Sequence, residues 1–201
     1  MLSGTERSAN LAAQVDVAAA LVAQAMTAHD RAELFAQVQA LAVADELTGI
    51  ANRRHFFEVA QRDVAAAVRA RRPVVALMVD IDHFKAVNDT YGHPTGDDVI
   101  RVVAQRLSSA IRTTDVIGRY GGEEFALLLL DSDVADDLPE RLRRCVADVA
   151  VETRSGPLAV TVSIGLAELA ADDDLPALLA RADQGLYRAK RDGRNLVRTA
   201  A

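Results

Sequence analysis

VVALMVDI, residues 74–81, decides the fold. It is a continuous apolar run of strand length that ends in acid, and a run without polar alternation belongs to a strand covered on both faces. Pro73 stops whatever precedes it, so residues 52–72 read as one helix. Downstream, a short helix is expected over 83–90 and a longer one over 94–111, with Pro94 near its first turn. Two further strand candidates, 115–120 and 123–130, flank Gly121-Gly122, a dipeptide that signals a hairpin. A helix near 134–149, a strand at 158–169, a helix at 175–191 and a last strand at 196–199 complete the pass. Strands and helices interleave from residue 45, which predicts a single α/β or α+β domain over 45–201.

Residues 1–44 are Ala-rich and proline-free, with apolar positions at helical spacing: Leu11, Val15, Ala18, Val22, Ala25, then Leu34, Val38 and Leu41. The stripe is narrow, as in a helical stalk that pairs with a second copy, although a helix packed on its own domain also fits. The step from Ala25 to Leu34 breaks the register near His29 and Asp30, so a kink or two helices is the alternative to one.

Composition narrows the class further. Twenty-three basic and 29 acidic residues leave a net charge of −6, a field that repels polyanions, so any anionic ligand must be bound locally and no nucleic-acid footprint is expected. Cys145 is the one cysteine, too few for an intramolecular disulfide or a thiolate metal site. No stretch approaches the roughly 20 apolar residues of a membrane span, and the N-terminus lacks a signal-peptide pattern, so a cytoplasmic setting is expected. Only Lys85 and Lys190 among the basic residues are lysines, which marks both as positions that favour a compact ammonium over a planar fork.

Asp80 stands at the carboxyl end of the apolar strand, where a carboxylate is costly unless it is paired or binds a cation. Asp82 either shares its face or caps the helix that opens at His83, and the cap is the favoured reading. Glu123 and Glu124 follow the glycine turn and point to opposite faces of an extended strand, so one can reach a metal while the other packs elsewhere. If the hairpin lies beside residues 74–81, Asp80 and Glu123 converge. Two hard oxygen ligands without a Cys or His cluster select Mg²⁺, which is usually held by one or two carboxylates plus substrate phosphates. That implies a nucleotide. Neither a phosphate loop nor a dinucleotide fingerprint is present, so the phosphates need other cations, and Lys85, Lys190 and Arg194 are the candidates.

Five segments in order, DELTGIANRR (45–54), VDIDHFKAVNDTYGHPTGDDVI (79–100), RTTDVIGRYGGEEF (112–125), VTVSIGLA (160–167) and ADQGLYRAKRDGRN (182–195), resemble the GGDEF domain of diguanylate cyclases in its GGEEF variant. The resemblance implies a central, mainly antiparallel five-stranded sheet wrapped by helices, related to adenylyl cyclase and polymerase palm domains. It implies condensation of two GTP into cyclic di-GMP with release of pyrophosphate, dependent on two Mg²⁺ ions per site, or Mn²⁺ in their place. A homodimer brings two sites face to face.

By matching position, Asp80, the Ile81 carbonyl and Glu123, with Glu124 beside it, resemble the metal ligands. Glu123 also resembles the group that helps deprotonate the attacking 3′-hydroxyl, and Lys85 joins it as a catalytic residue. Asn88 and Asp97 match the readers of the guanine edge, with Phe84 and His93 as neighbours in the GTP pocket. Lys85, Lys190 and Arg194 match phosphate contacts, and Gly121 and Gly122 match the turn that the α-phosphate approaches. Arg112 and Asp115 match an RxxD site at which the product inhibits, with Arg141 as a candidate second half. Ile50 stands where the family often has leucine. The helix ahead of Asp45 resembles the last helix of a GAF-type sensor. A catalytically weak receptor for cyclic di-GMP or GTP and a purely structural dimerisation module are the competing readings. The intact glycine-acid hairpin favours the enzyme.

Overall fold

The computed structural model describes residues 21–22, 24–27, 29, 31, 43–133 and 137–200. The chain divides into two units, Met1–Ala42 and Val43–Ala201, each described by itself. In the first, the described residues are helical, and Leu21, Val22 and Met26 hold exposed side chains. Leu11, Val15, Ala18, Leu34, Val38 and Leu41, on which the expected stalk rests, lie outside the described residues, as does the register break at Asp30.

The second unit runs β1 (Ala51–Asn52), α1 (Arg53–Ala70), β2 (Val74–Ile81), α2 (Phe84–Tyr91), α3 (His93–Ala110), β3 (Val116–Arg119), β4 (Glu124–Leu130), α4 (Leu138–Ala147), β5 (Val151–Thr153), β6 (Gly156–Leu158), β7 (Val162–Glu168), α5 (Leu175–Arg191) and β8 (Val197–Thr199). Six strands form the main sheet in the order β1-β3-β4-β2-β7-β8. β2 is antiparallel to both neighbours, β4 and β7, while the two edge strands, β1 and β8, pair in parallel. The expected five strands are all present, and the two-residue β1 adds a sixth at one edge.

Every residue of β2 is buried, as an unbroken apolar run requires. Its alternating side chains feed two cores. Val75, Leu77, Val79 and Ile81 join Val99, Val103 and Leu107 of α3 and Leu142 of α4 on one face. Ala76 and Met78 join Phe56, Ala60 and Val64 of α1 and Leu178, Ala182 and Leu186 of α5 on the other. Helix ends follow local chemistry. Asn52 caps α1 by accepting the His55 N–H at 2.9 Å, and Asp174 caps α5 by accepting that of Ala177 at 2.8 Å. α5 lies unusually close to the sheet, because a Cβ on Gly165 of β7 would run into the backbone of Ala182 and Leu186.

Three local expectations are corrected. The strand expected over 158–169 begins only at Val162, since Leu158 belongs to a separate two-stranded sheet, β5-β6, turned by Gly156 at φ 99°. The hairpin between β3 and β4 forms, but its glycines do not take the positive φ of a tight two-residue turn, and residues 120–123 make a wider loop closed by the Tyr120 N–H on the Glu124 carbonyl at 2.8 Å. Asp82 does not cap α2. His83 occupies that position at φ 57° with no side-chain cap, and the Asp82 carboxylate turns inward instead. The helix expected near 134–149 is α4, and residues 134–136 lie outside the described residues. Among the described residues no helix is long and apolar enough to cross a membrane.

Candidate active site

The pairing of β2 with β4 sets Asp80 opposite Glu124, and the Ile81 N–H donates to the Glu123 carbonyl at 3.3 Å. Asp80 and Glu123 therefore meet at the carboxyl end of the central strand. Asp80 is 6% exposed. Burial raises its carboxyl above the usual carboxylate range, and the Lys190 ammonium, 2.8 Å from Oδ2, offsets only part of that rise, with Arg194 adding a smaller share. Glu123 is raised as well, by burial first and by the Asp80 charge second. Asp80, raised by burial and by the nearby Asp82 charge, and Glu123, raised by burial and by Asp80, form a donor set that a hard divalent cation relieves. The Ile81 carbonyl stands at the same strand end. Among the described residues no group of three His, Cys, Asp or Glu side chains gathers, so a metal held by this pair would draw its other ligands from elsewhere. Glu124, opposite Asp80 in the ladder, adds its charge to Glu123, while its carboxylate packs under Gly121 and lines a groove with Phe57, Met78 and Asp183.

The loop that carries Glu123 is fixed from outside the motif. Arg119 donates to both oxygens of Asp45 at 3.1 Å, and a second nitrogen donates to the Gly122 carbonyl at 2.7 Å. Sequence reasoning missed this role. Arg119 and Asp45 both lie within quoted motifs, yet they are 74 positions apart and no local pattern links them. Gly122 meets nothing within 4 Å of where a Cβ would sit, so the loop backbone is open to an approaching group.

α2 and α3 bring Asn88 against the bare Cα of Gly96, directly before Asp97, with the buried Phe84 ring beneath. Gly96 was not singled out from the sequence, but a side chain there would displace Asn88. The Asn88 Oδ1 is buried and accepts no hydrogen bond among the described residues. Lys85 and His93 are exposed on the same two helices. Gly193, Arg194 and Asn195 follow α5 in the left-handed region, and Asn195 donates its backbone N–H to Asp82 at 2.9 Å. Asp82, 5% exposed, also accepts from the hydroxyls of Thr161 at 2.7 Å and Ser163 at 2.6 Å, so it ties β2 to β7 and to the turn carrying Arg194.

Arg112 and Arg141 line one cleft of about 220 Å³ together with Ile111, Asp137 and Leu138. Asp115 is not part of that lining. Its two oxygens accept the backbone N–H groups of Arg112 at 2.9 Å and Leu130 at 3.1 Å, which anchors the Arg112 backbone to β4.

Comparison with known proteins identifies the family. Residues 42–196 match the family described as diguanylate cyclase, GGDEF domain. The response regulator PleD of Caulobacter vibrioides is 46% identical over 162 residues, which cover 78% of this chain and 36% of PleD. The diguanylate cyclase VdcA of Vibrio cholerae is 42% identical over 170 residues, which cover 82% of this chain and 49% of VdcA. The chain thus spans less than half the length of these relatives. The coiled coil and GGDEF domain of DgcB from Caulobacter crescentus, solved in complex with c-di-GMP, superposes with a TM-score of 0.76 at 34% identity, covering 92% of this chain and 99% of that one. With the family matched across most of its length and the glycine-acid hairpin seated beside Asp80, the chain belongs to the GGDEF domain family of diguanylate cyclases.

Proposed function

We propose that the protein condenses two GTP into cyclic di-GMP with release of two pyrophosphates. One observation carries the reading: Asp80 and Glu123 share a partly buried strand end under Lys190, with both carboxyls raised and the neighbouring loop backbone open. In each half-reaction the 3′-oxygen of one GTP bonds to the α-phosphorus of the other, the bond from that phosphorus to the pyrophosphate oxygen breaks, and the hydroxyl proton leaves. Phosphoryl transfer of this kind needs positioning and charge neutralisation more than covalent catalysis. A divalent metal, which we assign as Mg²⁺, would be held by Asp80, Glu123 and the Ile81 carbonyl; when bound it neutralises phosphate charge and lowers the pKa of a hydroxyl brought to it.

The remaining work falls to the chain. Glu123 helps to take the hydroxyl proton. Lys85, Lys190 and Arg194 hold the phosphates, and the turn at Gly121 and Gly122, with its open backbone at Gly122, lets the α-phosphate come close. Asn88 and Asp97 read the guanine edge, with Phe84 and His93 beside it. One such site per chain holds one GTP, so the reaction requires two chains facing each other. The first 44 residues, whose described part exposes Leu21, Val22 and Met26, form the dimerising stalk in this reading. Arg112 and Arg141 take the product's phosphates or guanine edges in their shared cleft, with Asp115 fixing the Arg112 backbone.

Incubation with GTP and Mg²⁺, followed by chromatography of the products, tests the reading directly. Cyclic di-GMP and pyrophosphate should appear. Glu123→Gln removes a charge with little change of shape, so it should lower the rate at least ~100-fold while the melting temperature stays within a few degrees. Bound nucleotide without turnover in the parent chain would make it a receptor instead.

A further inference from the structure

The turn that carries Arg194 is held from a helix outside the site. Gly193, Arg194 and Asn195 have φ values of 123°, 64° and 48°. Asparagine tolerates this conformation, but at Arg194 it is unfavourable and persists only where the surroundings enforce it. Three ties enforce it. At the helix end, the Arg194 N–H donates to the Ala189 carbonyl at 3.0 Å. From inside, Asp82 accepts the Asn195 N–H, as described above. From outside, the Asn195 Oδ1 accepts from Nη1 of Arg143, a residue of α4.

Arg143 is itself fixed. Its Nε and Nη2 donate to Glu140 at 2.7 to 3.1 Å, leaving Nη1 for Asn195, and its side chain is only 15% exposed. An arginine one turn along a helix from a glutamate is an ordinary surface pair. This one differs because one nitrogen leaves the pair to reach a residue 52 positions further along the chain. Arg194, adjacent to Asn195, is exposed, and its charge reaches Asp80.

We propose that Arg143 is a positioning residue for the reaction: by holding Asn195 from α4, it fixes the turn that presents the Arg194 guanidinium to the nucleotide phosphates. The proposal rests on the GTP reading given above. A guanidinium on a mobile turn must be ordered each time substrate binds, whereas a turn already fixed on both sides offers the charge in place. The outer partners of metal ligands change affinity or activity about 10- to 100-fold when lost, and a partner one step behind a phosphate contact should act on a similar scale.

The test uses the full chain and three single changes. Arg143→Ala removes the donor. Asn195→Gly removes the acceptor while tolerating positive φ, so it probes the same tie if the first variant folds poorly. Arg194→Ala removes the guanidinium itself. Initial rates should show a KM for GTP raised about tenfold by Arg143→Ala and by Asn195→Gly, with kcat changed less, and with no further rise when the two are combined. In the Arg194→Ala background, Arg143→Ala should add nothing. Additive losses would overturn the proposal, as would an unchanged KM in both single variants. Amide exchange across residues 193–195 reads the tie without nucleotide: it should quicken about tenfold in Arg143→Ala and Asn195→Gly at a similar melting temperature, and unchanged exchange would overturn the positioning role. A parent chain that ignores GTP while the exchange result holds would instead fault the GTP reading.

Discussion

Asn88 presents a buried carbonyl oxygen that accepts no hydrogen bond among the described residues, and such an atom is expensive unless a bound group supplies a donor. Guanine carries N–H donors along the edge that adenine lacks, so Asn88→Ala should cut the preference for GTP over ATP, measured as the ratio of kcat/KM values, at least ~10-fold. An unchanged ratio would remove Asn88 from base recognition. Individual residues also show how far sequence carries. Asp80 and Glu123 were legible because each sits at the edge of an apolar run, where a charge has no structural excuse. Asp82 was not. As a carboxylate before a helix it fits the local pattern of a cap, but its partners Thr161, Ser163 and Asn195 lie 79, 81 and 113 positions away. Arg119 and Arg143 stayed hidden for the same reason, since an arginine's partner is not encoded next to it.

Elements with a strong pattern of their own were legible, and those made by pairing alone were not. β2 and α5 were bounded correctly because their apolar runs and proline or aspartate stops are local. β1 is two residues long and exists only through its ladder with β3, and β5-β6 are short strands of which few residues are buried. The β5-β6 hairpin has a function for the fold nonetheless. Arg154 of its turn donates to Asp98 of α3 through Nε at 2.8 Å, Nη2 at 3.0 Å and its backbone N–H at 3.2 Å. These contacts hold the Asp98 carboxyl well below the usual carboxylate range. A carboxylate whose folded pKa is lowered stabilises the fold above its unfolded value, near 4, and loses that contribution as pH falls through the folded one. The hairpin should therefore stay clipped to α3 from about pH 5 upwards and loosen below about pH 4, seen as faster amide exchange over residues 151–158. Arg154→Ala should loosen it at neutral pH and flatten this acid dependence; an equally steep dependence in the variant would assign the acid response elsewhere.

At the scale of the whole molecule, one chain supplies one Asp80, one Glu123 and one each of Lys85, Lys190 and Arg194, so under the proposed reaction turnover should depend on chain-chain encounters. Specific activity should rise with protein concentration and level off once dimers dominate; a flat profile from nanomolar to micromolar chain would show that a single chain suffices. The sheet order has a consequence of its own. β2 and β4 pair early along the chain, but the other edge of β2 is covered only by β7, and the charge beside Asp80 is neutralised only when α5 brings in Lys190. Chains emerge from the ribosome N-terminus first, at roughly 5 to 20 residues per second, so for several seconds a nascent chain displays an apolar strand with an open edge and two unneutralised acids at its tip. Synthesis order thus makes β7 the cover, and α5 the counter-charge, for β2 and its acidic tip. A ribosome stalled before α5 would leave a product that lacks Lys190 beside Asp80 and is prone to stick to its neighbours, and a cell would have reason to clear it quickly.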